Sequence, residues 1–96
     1  MNMQELLLQS KAAKRAGIDQ GGYAVIPGIQ WKAYTAYGLN TIWFLRADNE
    51  LSSNPMQNGH LMVSMADLHR LNWQPLSPEQ DPVFKRCFAL DRRIHL

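Results

Sequence analysis

The chain has 96 residues, with 10 Lys plus Arg against 8 Asp plus Glu, a formal net charge of +2 and a single cysteine. Hydrophobic residues make up 46% and charged residues 19%, which excludes a disordered chain. With Cys87 the one cysteine, a disulfide scaffold is excluded, and no apolar run approaches the ~20 residues of a membrane-spanning helix.

The length fits one domain over residues 1–96, with a modest core and no deep enclosed pocket. The opening MNMQELLLQS lacks the positive start and the apolar run of ~7–15 residues of a secretory signal. The expected setting is therefore the cytoplasm, where a lone thiol stays reduced. Residues 2–16 are rich in Leu, Gln, Glu, Lys and Ala and contain no Gly or Pro, which predicts a helix. Asn2 and Glu5 have the spacing of a capping box, and Gly17 is a natural stop. The apolar stripe is blurred: Leu8, Ala12 and Ala16 align, while Met3, Leu6 and Leu7 spread around the cylinder. Lys11, Lys14 and Arg15 share a sector near the C-terminal end, where the helix dipole favours cations.

Pro27-Gly28 has the chemistry of a type II turn, because glycine supplies the positive φ at the third position. Residues 23–26 before it read as a short strand. Residues 31–37 are aromatic and β-branched, residues 38–40 read as a turn, and residues 41–45 are apolar on both faces, as in a central strand. A hairpin is the preferred reading, with a helix over 29–37 capped by Gly38 as its competitor. Residues 48–60, DNELSSNPMQNGH, read as a long polar loop. Leu61 to Val63 read as a brief strand. Ser64 then caps a helix from Met65 to about Trp73, closed by Pro75.

The last segment has the clearest pattern. Asp81 caps and Pro82 suits the first helical position. Val83, Cys87, Leu90 and Ile94 form one line flanked by Phe84 and Phe88. Lys85, Arg86, Arg92 and Arg93 take the opposite side, as on an amphipathic surface helix. The expected fold class is α+β: an N-terminal helix, a short antiparallel sheet from residues 23–46 and 61–63, and two C-terminal helices packed on that sheet.

The common catalytic motifs are missing. The phosphate-loop pattern G-x-x-x-x-G-K does not occur. The histidines and Cys87 lack the short spacings of a zinc site, so no metal and no cofactor are expected. Cys87, on an apolar helix face, reads as a small core residue rather than a nucleophile. Ser52 and Ser53 sit in a polar stretch where serine is ordinary, and the capping role explains Ser64. One enzymatic format remains open, that of small metal-independent ribonuclease toxins, which position and protonate a scissile phosphate with a few basic groups. Arg46, His60, His69 and Arg70 are its candidates, and they serve equally for nucleic-acid binding without catalysis. A helix-turn-helix over 65–92 is disfavoured, because Glu79 and Asp81 would open its recognition helix and repel phosphate.

The favoured reading is a non-enzymatic protein-binding module. Three Trp and three Tyr are more rings than so small a core is expected to hide, and Trp, Tyr and Arg dominate binding hot spots. In this reading Trp31, Tyr34 and Trp73 anchor the contact, while Lys85, Arg86, Arg92 and Arg93 steer and orient it. Loop 48–60 orders on contact. The partner is a larger cytoplasmic protein or complex, and the module is a regulator or inhibitor that occupies part of its surface. Accessory proteins of phages and other mobile elements often have this format. The sequence leaves a homodimer open.

Overall fold

The computed structural model describes residues 1–35, 41–57 and 59–95, and their side chains except those of 57 and 91–95. Helix α1 spans Met3–Arg15. Both arms of the expected capping box are present: the Glu5 amide donates to Asn2 Oδ1 at 2.9 Å and the Asn2 amide donates to Glu5 Oε1 at 3.0 Å. Gly17, at φ 76°, lets the chain leave the helix. The buried stripe is Met3, Leu6 and Ser10, at the i, i+3, i+7 spacing of one helix face. Leu8, Ala12 and Ala16 face outward instead.

Among the described residues seven strands follow: β1 (Gly21–Val25), β2 (Lys32–Thr35), β3 (Ile42–Leu45), β4 (Leu51–Ser52), β5 (Met56–Gln57), β6 (His60–Leu61) and β7 (Gln74–Leu76). Five of them form one antiparallel sheet in the order β4-β3-β2-β1-β7. The α+β class is as expected, and the pairing of β2 with β3 decides for the hairpin over a helix at 29–37. The turn expected at 38–40 lies outside the described residues. The Pro27-Gly28 turn forms with Gly28 at φ 81°, and the Ile29 amide donates to the Ile26 carbonyl.

Four expectations are corrected. Residues 48–60 are not one loop: β4 adds an edge to the main sheet, and β5 with β6 forms a separate two-stranded ribbon. Residues 61–63 are therefore not part of the main sheet. The helix after Ser64, α2, ends at Arg70 rather than Trp73. Trp73 turns back into the core, and its indole N–H donates to the Leu68 carbonyl at 2.8 Å, satisfying one of the carbonyls a helix end leaves bare. Pro75 does not merely close a helix. It lies in β7, opposite Gly22 on an edge strand, where its missing N–H is tolerated.

The sheet is apolar on both faces. One face presents Ala24, Ala33, Ile42 and Phe44. It packs with Met3 and Leu6 of α1, Leu68 of α2, and Trp31, Leu71 and Trp73. The other presents Tyr23, Tyr34, Trp43 and Leu45 and is covered by Phe84, Cys87 and Phe88 of α3, Pro82–His95. The two C-terminal helices thus take opposite faces, because α2 packs beside α1. Asp81 begins α3 as expected, its Oδ1 accepting from the Val83 amide at 2.8 Å. The rings of Phe84 and Phe88 meet edge to face with centroids 4.9 Å apart, the arrangement favoured by the ring quadrupole.

The approach of α1 to the sheet depends on Gly22. A Cβ there would stand 2.6 Å from Leu6 Cδ2 and 2.7 Å from the Gln74 carbonyl oxygen. Gly22→Ala is therefore expected to destabilise the fold by ~1–3 kcal/mol through overpacking, read as a lower urea midpoint at unchanged slope. On the other face, Phe88→Ala removes a buried ring and is expected to cost about 3–5 kcal/mol in the same measurement.

Candidate functional site

The anchors chosen from sequence are not on the surface. Trp31, Tyr34 and Trp73 are 5%, 2% and 0% exposed. Each has a structural role that excludes it from contacting a partner in this fold. Trp31 and Trp73 fill the α1–α2 side of the sheet. Tyr34 sits in the aromatic row beneath α3, its ring 6.2 Å from Tyr23 and 5.9 Å from Phe84. The premise that so small a core cannot hide these rings fails because the sheet buries side chains on two faces instead of one.

The cations separate rather than converge. Lys85 and Arg86 are exposed on α3. Arg92 and Arg93 fall in its last turns, and their side chains lie outside the described residues. Lys11, Lys14 and Arg15 are on α1, across the sheet from α3. Arg46, past the end of β3, is paired with Asp48 at 3.1 Å, both exposed, so the bond is screened by water. His60 is exposed on β6, and His69 and Arg70 are exposed neighbours on α2. Among the described residues no group of three His, Cys, Asp or Glu stands together as a metal would require. No helix among them is long and apolar enough to cross a membrane.

A different surface emerges around α2 and the β5–β6 ribbon. Met56 and Leu61 are cross-strand partners, so their side chains share one face. Met65 opens α2. These three side chains are 41–63% exposed. Met65 also lines an open groove of about 310 Å³ with Pro55, Ile42, Phe44 and Leu68. Phe44 and Leu68 belong to the core, so the groove has a packed floor, while Met65 on its lining is flexible and polarizable. A second groove of similar size meets α2 as well, formed by Ile26, Met62, Val63 and Leu71 with Asp67 and Arg70. The short helix stands where both grooves meet the surface.

Sequence reasoning missed this surface because it treated residues 48–60 as polar filler. The signal was present. Asn58-Gly59 between Met56-Gln57 and His60-Leu61 is the strongest short hairpin signature, and Gly59 has φ 79°. Reading the hairpin would have placed Met56 and Leu61 on one face.

Known protein families, curated proteins and solved structures were all compared with this chain, and none of them matches it. The surface is therefore read from its own chemistry.

Tyr34 carries a measurable consequence. Burial, and next the charge of Asp81, push its phenol up from 10.0 to about 12. The hydroxyl donates to Asp81 Oδ2 at 3.4 Å. In the unfolded chain the phenol ionises near its ordinary value, so the unfolded state loses its proton first as pH rises. The stabilisation is full below a pH of about 10 and is lost as pH climbs toward 12. Urea midpoints taken across that window are expected to fall in the native protein and to fall less steeply in Tyr34→Phe.

Proposed function

We propose that this chain is a small non-enzymatic protein-binding module. It engages a larger partner through the face made by α2 and the β5–β6 ribbon. The observation that carries the reading is the exposed Met65 on an open apolar groove that Pro55 also lines, with the exposed cross-strand pair Met56 and Leu61 on the ribbon that follows Pro55. An exposed apolar side chain on a concave apolar site, with further exposed apolar residues on the adjoining segment, marks an interaction surface. Methionine suits such a surface because it repacks against different partner shapes. The charge around it supports a protein over a nucleic acid. Asp67 offsets Arg70 on α2, and Lys85 and Arg86 of α3 stand across the sheet from the cations of α1, so among the described residues no continuous basic stripe tracks a phosphate backbone. In this reading the module is a regulator or inhibitor that acts by covering part of its partner's surface in the cytoplasm.

Leu61→Asp and Met65→Asp are surface changes and are expected to leave the fold intact, as checked by circular dichroism. Affinity purification from the native host is expected to recover one protein in stoichiometric amount with the wild type. Each variant should lose it by about tenfold or more, the effect of a hot-spot truncation. Capture that is indifferent to both substitutions would overturn the surface. Co-purification of RNA or DNA that falls steeply with salt, or RNA cleavage lost in His69→Ala, would replace the reading with the nucleic-acid one.

A further inference from the structure

The second groove beside α2 carries a more specific reading, which rests on the proposed function and supplies the chemistry of the partner segment. We infer that this groove receives the C-terminal residue of a peptide, one with an apolar side chain and a free carboxylate.

The floor is apolar and largely rigid. Ile26, Val63 and Leu71 are buried members of the core, and Met62 packs against them. The groove measures about 310 Å³, at the small end of ligand sites, which suits one large apolar residue rather than a cofactor. Two charged residues of opposite sign, Asp67 and Arg70, line the same groove. They are three positions apart on α2, so they neighbour each other on one helix face. Among the described residues neither enters an ion pair, with each other or with a third group. Both are exposed and free to meet a ligand.

A terminal residue presents a complementary set. Its carboxylate accepts two parallel N–H bonds from the Arg70 guanidinium, a geometry lysine cannot reproduce. Its backbone N–H donates to the Asp67 carboxylate. Its side chain covers the floor. A phosphate or a fatty acid would satisfy Arg70 but would set a second anion against Asp67 with no donor to offer it. The mouth is open to solvent, so the rest of a peptide can lead away from the site, as in other pockets that recognise chain ends.

The test is an NMR titration of the full chain with three probes: an N-acetylated tetrapeptide ending in leucine with a free carboxylate, the same peptide as its carboxamide, and free leucine. The acid peptide is expected to give saturable amide shifts at Ile26, Val63 and Leu71. The carboxamide should bind about tenfold more weakly, the scale of one lost charge-assisted hydrogen bond. Arg70→Gln should abolish the preference for acid over amide while leaving the spectrum otherwise folded. Equal response to acid and amide, or no shifts at these residues, would overturn the inference. So would free leucine binding as tightly as the acid peptide, which would assign the groove to an amino acid. Loss of peptide binding alone, with partner capture still dependent on Leu61 and Met65, would remove this inference and leave the proposed function standing.

Discussion

The sheet of this protein is apolar on both faces, and that condition governs the rest of the structure. Alternate residues of β1, β2 and β3 point to opposite sides, and here both sides carry apolar groups. One side presents small residues, with Gly22, Ala24 and Ala33 leaving space that Leu6, Trp31 and Trp73 occupy. The other presents rings, Tyr23, Tyr34 and Trp43, and a single helix is enough to cover them with Phe84 and Phe88. A sheet of this kind exposed on either side would be a large apolar patch. The helices at the two ends of the sequence are therefore both required, and the aromatic residues go to the interior rather than to a partner.

Much of the fold was legible because it rests on local rules. The capping box of Asn2 and Glu5, the stop at Gly17, the Pro27-Gly28 turn and the start of α3 at Asp81-Pro82 each depend on residues within a few positions of one another. The amphipathic line of α3 was equally plain. What the sequence hid depends on distant partners. Leu6 is buried and Leu8 exposed because α1 turns the Leu6 face to the sheet, where Gly22 leaves room for it. The end of α2 is set by the Trp73 indole folding back on the Leu68 carbonyl, and Pro75 becomes a strand residue because Gly22 lies beside it. Short strands such as β4 and β7 carry too few residues to show a period of two.

The functional surface was harder to read for a related reason. Counting rings against the capacity of one core assumed a single interior, and the structure has two. Trp31, Tyr34 and Trp73 were attractive because their residue types dominate interfaces in general, but residue type says nothing about which side of a sheet a position faces. Met56, Leu61 and Met65 were overlooked for the opposite reason: they lie in and just after a stretch whose polar composition resembles an unstructured connection. Short ribbons are held by a few backbone bonds and one turn, so the turn dipeptide was the informative feature and the average polarity was not. The basic residues illustrate a further limit. Their number is visible in composition, but the separation of α1 from α3 by the sheet is what prevents them from acting as one field.

The seating of Met1 bears on how far apart in sequence the contacts that close the fold are. Its ammonium donates to Asn72 Oδ1 and to the Trp73 carbonyl, and its own carbonyl accepts from the Trp73 amide. Met1 thus finds these hydrogen-bond partners among residues some seventy positions further along the chain. Apart from the sheet, α1, at 13 residues, is short enough to be marginal by itself in water, and its Leu6 face has nothing to rest on. Closure comes over a long sequence separation, the circumstance in which folding is slow and premature association most tempting.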